Sequence, residues 1–107
     1  MAIKAIIELQ AWPGKRDQLK RFIESLVAAH GTVDGFLGSQ RYEVLDNPDM
    51  LLEIADWESA EAREVHMQAA AASGIYTPLK EMLAKPFKVT LIRLMDQDPA
   101  AGKSVNR

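Results

Sequence analysis

Apolar residues along this chain repeat with a period of two, then of about 3.6, and the alternation between these rhythms orders its elements. Ile3, Ala5, Ile7 and Leu9 fall on one side of residues 3–10, as in a strand, and Trp12-Pro13-Gly14 breaks the run. Leu19, Phe22, Ile23, Leu26 and Val27 form a helical stripe between Lys15 and His30, with Gly31 placed as its C-terminal cap. His30 reads as a cation favoured by the negative helix end. Asp34-Gly35-Phe36 then leads into a strand near residues 37–45, Asp46-Asn47-Pro48-Asp49 makes a turn, and Met50 to Trp57 returns antiparallel. A helix follows over residues 59–70, interrupted by Ser73-Gly74, and Thr77-Pro78 reads as the cap and first-turn pair of a short helix carrying Leu79, Met82 and Leu83. Pro86 opens a last strand from Phe87 to Met95. The predicted order is β-α-β-β-α-α-β, an α+β domain over residues 1–95. Residues 96–107 have almost nothing to bury and are expected to form a flexible tail.

The strands are apolar on both sides. Phe87, Val89 and Leu91 oppose Ile92 and Leu94, and Leu51 and Trp57 oppose Leu52 and Ile54. Right-handed crossovers put every helix on one side of the sheet, which leaves Ile6, Leu52, Ile54, Ile92 and Leu94 as an uncovered apolar face. Burying such side chains is worth about 1.5–3 kcal/mol each, so a homodimer joined through the sheet faces is expected.

Composition removes several classes of function. A net charge of -2 with no Lys/Arg run offers no footprint for nucleic acid or an anionic membrane. With no cysteine, disulfides, thiolate metal sites and a cysteine nucleophile are excluded. The sequence shows neither a signal-peptide core nor an apolar span of membrane length, so a cytoplasmic location is expected. The two histidines stand far apart with no H-E-x-x-H spacing, and no metal site is predicted. Gly35-Phe36-Leu37-Gly38 has no helix after it to cradle phosphate, and Leu37-Gly38-Ser39-Gln40 lacks the second glycine of a nucleophile elbow.

The chemistry-bearing stretch is the junction from Ala55 to His66. There a strand ending in Trp57 passes through a Ser59 cap into a helix whose Ala62, Val65, His66 and Ala69 share one face. Trp57 and His66 are therefore expected to face the same interior.

The N-terminal strand followed by Pro13-Gly14-Lys15, the Asp34-Gly35-Phe36-Leu37 entry, the Asp46-Asn47-Pro48-Asp49 turn, and Trp57-Glu58-Ser59 followed by His66 together resemble the antibiotic biosynthesis monooxygenase family. The resemblance covers residues 3–95. It implies a ferredoxin-like unit with an antiparallel sheet that pairs into a dimeric α/β barrel. Familiar members are cofactor-independent oxygenases of quinols and anthrones, and relatives degrade haem or isomerise small phosphorylated molecules, so fold membership leaves the reaction open. The family commonly has Glu two residues before the Trp, where this chain has Ala55, and anthrone oxygenases use Asn four residues before it, where this chain has Glu53. Haem-degrading relatives need an axial histidine on the helical side, and Met67 to Tyr76 contains none.

What the resemblance implies is a cofactor-free monooxygenase taking a small aromatic substrate and dioxygen. Such a reaction needs a dry pocket, a base, and a group that steadies the substrate anion. His66 is the expected base, since imidazole titrates near neutrality. Trp57 is the expected aromatic wall, and Glu53, on the Trp57 strand face, the group that orients His66 or replaces it. Tyr76, Arg41, Met67 and Met82 are the expected substrate contacts, with Arg93 a further anion partner. The alternatives are a non-catalytic dimeric module for a hydrophobic ligand or haem, and an isomerase on the same fold.

Overall fold

The structure, a computed structural model, describes residues 2–30 and 32–95. The expected Gly31 cap and the expected tail over 96–107 lie outside the described residues. Seven elements follow one another: β1 (Ile3–Gln10), α1 (Arg16–His30), β2 (Phe36–Val44), β3 (Asn47–Trp57), α2 (Ala60–Ser73), α3 (Leu79–Met82) and β4 (Lys88–Ile92). The strands form one antiparallel sheet in the order β2-β3-β1-β4, and the α+β architecture is ferredoxin-like, in the element order read from the sequence.

Strand alternation settles which side chains meet the helices. Leu9, Leu51 and Ala5 are buried on the helix side, where α1 adds Leu19, Ile23 and Leu26 at one-turn spacing. Across the sheet, Arg41 stands opposite Glu53, Glu53 opposite Ile7, and Ile7 opposite Val89, so one row crosses all four strands. The opposite face carries Ile6, Leu52 and Ile54, all partly accessible, with the more exposed Ile92, and Lys4 paired to Asp56 at 2.6 Å.

Four local readings change. The hairpin turns at Leu45-Asp46, and β3 begins at Asn47, three residues before the expected Met50. The residues that read as a turn form an irregular start to the strand: pairing jumps from Glu43–Leu51 to Val44–Asn47. Pro48 lies in that break, where its missing N–H removes no ladder bond. Asn47 Oδ1 accepts the Asp49 N–H, and Asp49 Oδ1 accepts the Gly14 N–H at 2.9 Å, tying the hairpin to the β1–α1 turn. The last strand is shorter than expected, stopping at Ile92.

Ser59 caps α2 as anticipated, its Oγ accepting the Ala62 N–H at 3.0 Å, and Gly74 closes the helix in the left-handed region. The inward face of α2 is not the expected one. Val65 is 70% exposed and Ala69 is exposed; Ala62, Arg63, His66, Met67 and Ala70 turn inward instead. Pro78 takes the capping position of α3, and no side chain supplies the bond expected of Thr77. The segment after α2 is fastened to the end of β1: Ala84 N–H donates to Gln10 O, Leu83 bridges Ala11, and Trp12 Nε1 donates to Glu81 O at 3.1 Å.

Candidate functional site

A cavity of about 540 Å³ lies between the helix side of the sheet and the three helices, within the roughly 300–1,000 Å³ of small-molecule sites. Its floor is sheet: Ile7, Leu9, Glu53, Ala55, Trp57 and Val89. Ile23, Leu26 and Val27 of α1 form one wall, Arg63 and Met67 of α2 another, and the segment from Tyr76 to Phe87 closes the third side. Most of this lining is apolar because period-two alternation in β1 and β3 sends Ile7, Leu9, Ala55 and Trp57 inward together.

Glu53 is the exception on the floor. It is 9% exposed, and alternation leaves it no other side of the sheet to occupy. Its Oε2 lies 3.7 Å from Nη1 of Arg41, its cross-strand neighbour, and Arg41 reaches on to Ser39 Oγ at 3.1 Å and Glu24 at 3.8 Å. Burial pushes the Glu53 carboxyl above its ordinary value of 4.5, outweighing the opposing pull of Arg41 and of the Ser39 hydroxyl. Beside it, burial and then the Glu53 charge push the Tyr76 phenol up, so at neutral pH Tyr76 holds its proton and can donate it in a hydrogen bond. Arg63 acts on Tyr76 in the opposite direction.

Trp57 is 2% exposed, its ring centroid 5.1 Å from Phe36 and 5.4 Å from His66. Trp57 lines the cavity and His66 does not. Burial, and then the Arg63 charge, lower the His66 imidazole below 6.5 and favour its neutral form.

The residues singled out in the sequence therefore divide. Glu53, Trp57, Tyr76 and Met67 meet in the cavity. Arg41 stands behind Glu53, His66 lies against Trp57, and Met82 packs on the core around Leu9 and Leu19, all three outside the lining. Arg93 also falls outside it. Arg63 is not among the residues the sequence singles out, since a charged helix residue ordinarily faces solvent; its spacing to Met67 and Ala70 is the signal that marks it as inward. Among the described residues no histidine lines the cavity, so the imidazole that haem most often takes as an axial ligand has no source among them. Among the described residues no three His, Cys, Asp or Glu side chains gather as a metal site, and no helix is long and apolar enough to cross a membrane.

Comparison with known proteins matches these features to one family. The antibiotic biosynthesis monooxygenase family model matches residues 2–75. No curated protein sequence matches the chain. Among solved structures, a conserved protein from Methanosarcina mazei Go1 is 22% identical, with 87% of this chain and 92% of that one covered at a TM-score of 0.76. Rv0793 from Mycobacterium tuberculosis is 20% identical over 91% of this chain and 98% of its own, also at 0.76. SnoaB, a cofactor-independent oxygenase from Streptomyces nogalater, shares the fold at 13% identity and a TM-score of 0.76, covering 92% of this chain and 97% of its own. From β1 through α2, sequence and fold agree, and the chain belongs to the antibiotic biosynthesis monooxygenase family.

Proposed function

We propose that the protein is a cofactor-independent monooxygenase of a small, electron-rich aromatic, and that Glu53 is its base. The observation that carries this reading is a carboxylate buried on the floor of an apolar cavity beside Trp57 and Tyr76. A carboxylate whose proton affinity is raised by desolvation is a stronger base than one in water. The sequence put His66 in that role; the geometry favours Glu53, because Glu53 lines the cavity and His66 supports the Trp57 ring from outside it. SnoaB, a cofactor-independent oxygenase, shares the fold.

The chemistry balances without an added reductant. Glu53 takes a proton from the substrate, whose anion passes one electron to dioxygen. The resulting superoxide and substrate radical join in a carbon–oxygen bond to give a peroxide. At a ring methylene, the second carbon-bound proton then passes to the outer peroxide oxygen as the oxygen–oxygen bond breaks, leaving a carbonyl and hydroxide; with the proton Glu53 holds, methylene and dioxygen become carbonyl and water. Glu53 returns its proton to the departing hydroxide. Trp57 supplies a flat wall for the ring, and Tyr76 donates a hydrogen bond to a substrate oxygen, steadying the anion. The same reading takes the sheet face of Ile6, Leu52, Ile54 and Ile92 as the seat of a second copy, which sedimentation of the wild type against Ile54→Lys would test.

Oxygen uptake by the chelator-treated protein with hydroquinones, naphthols and anthrones tests the assignment. Glu53→Gln is expected to lose on the order of a hundredfold or more in turnover, the usual contribution of a positioned base. Wild-type activity is expected to rise with pH as Glu53 ionises, with a midpoint above 4.5. Turnover unaffected by Glu53→Gln but abolished by His66→Gln would return the base role to His66. Saturable binding with no uptake would make the protein a ligand-binding module.

A further inference from the structure

The cavity carries more positive charge than its one carboxylate needs. Glu53 is already answered by Arg41 from behind. Three further cations reach the lining: Arg63 from α2, Lys80 from α3 and Lys85 before β4. Among the described residues none of the three lies within ion-pair distance of an Asp or Glu. Arg63 is the most exacting of them. Its Nε is shut away from solvent and has no hydrogen-bond partner, an arrangement that costs free energy until an acceptor arrives. Lys80 and Lys85 are exposed and stand at the rim, where unpaired charge acts on what approaches. A wholly neutral ligand would leave these groups unused and would bury Arg63 further without compensation.

We propose that the aromatic substrate bears an oxyanion, carboxylate or phosphate, that Arg63 receives, with Lys80 and Lys85 drawing it to the mouth. This rests on the oxygenase reading for the substrate's aromatic body, and adds the group by which the enzyme would tell one aromatic from another. The planar guanidinium suits either anion, and the ring then lies over Glu53 and against Trp57.

Three ligands sharing one ring separate the possibilities: a naphthol, the same naphthol with a ring carboxylate, and the same naphthol with a phosphate ester. Their affinities are measured calorimetrically in anaerobic buffer, so that no turnover intervenes. At least one anionic ligand is expected to bind about tenfold or more tightly than the neutral one, the gain from one charge-assisted hydrogen bond, and the stronger of the two names the anion. Arg63→Gln is expected to bring that ratio close to unity, and Arg63→Lys, which keeps the charge but not Nε, to retain part of it. Lys80→Gln with Lys85→Gln is expected to flatten the salt dependence of anion binding. Equal binding of neutral and anionic ligands, or a preference that survives Arg63→Gln, overturns the proposal. Equal binding together with rapid oxygen uptake would sink this inference and leave the oxygenase standing; anion preference without uptake in any ligand would do the reverse.

Discussion

Gly35 packs closely against α2, and replacing it tests whether the fold holds that helix as described. Its φ of +84° lies in the left-handed region, and a Cβ added there would sit 2.5 Å from Cβ of Ala62. Two costs follow for Gly35→Ala. The backbone conformation costs an L residue about 1–2 kcal/mol. Relieving the contact means moving α2 back by roughly 1 Å to reach the ~3.5–4.0 Å of ordinary carbon contacts, and overpacking of this kind costs about 1–3 kcal/mol. The sum, about 2–5 kcal/mol, is a large part of the ~5–15 kcal/mol that holds a domain of this size. Ala62→Gly separates the two costs. Alone it destabilises by about 0.8–1.0 kcal/mol, as glycine does in a helix; on the Gly35→Ala background it removes the clashing atom and is expected to stabilise. Urea unfolding of the four proteins, with a common m-value, gives the coupling between the sites. A coupling within about 0.5 kcal/mol of zero would refute the contact, since sites that do not touch are additive to that level. The same retreat of α2 would carry Arg63 and Met67 away from the cavity, so the Gly35→Ala protein is expected to bind its ligands less well even where it stays folded.

Two further outcomes are expected of the folded chain. Because the folded-state pKa of Glu53 is raised, its contribution to stability is fully present below 4.5 and is lost as pH rises through the folded value; thermal melts should therefore show Glu53→Gln gaining on the wild type as pH climbs above 4.5, and a gain that is constant with pH would contradict the burial described for Glu53. Leu19 is fully buried and Leu45 is 93% exposed, so Leu19→Ala should cost about 2–5 kcal/mol in urea unfolding and Leu45→Ala less than about 0.5 kcal/mol; similar losses in both would misplace the core.

The sequence yields most of the fold because two periodicities are strong in it. β1 and α1 present Ile3, Ala5, Leu9 and then Leu19, Ile23 and Leu26 with little ambiguity, and both stripes are buried. The hairpin was less legible. Asn47-Pro48-Asp49 carries the strongest turn residues in the region, yet it stands within β3, because the pairing shift there accommodates Pro48 and the Asn47 and Asp49 side chains take up neighbouring N–H groups. In α2 the pattern misled: alanines on several sides leave only a weak stripe, and Val65 outweighed Arg63 on hydropathy alone. What decides the matter is three-dimensional, since Arg63 faces a cavity it shares with the segment that follows α2, whose position no local pattern specifies. For the site, Glu53 and Trp57 were legible as a pair because residues four apart on a strand share a face. His66 was legible only as a neighbour of Trp57: its ring packs on Trp57 without lining the cavity, a distinction that spacing along the helix does not make.

The fastening of the third cavity wall has an evolutionary consequence. The bonds that hold the segment after α2 to the end of β1 run to main-chain groups of that segment, at Glu81, Leu83 and Ala84. Exchanging Tyr76, Lys80, Lys85 or Phe87 leaves those anchors in place. Glu53 and Trp57, in contrast, belong to an inner strand hydrogen-bonded on both sides. The wall can therefore change its side chains without loosening its anchors, so new ligand preferences can arise there by substitution while the sheet beneath keeps its pairing.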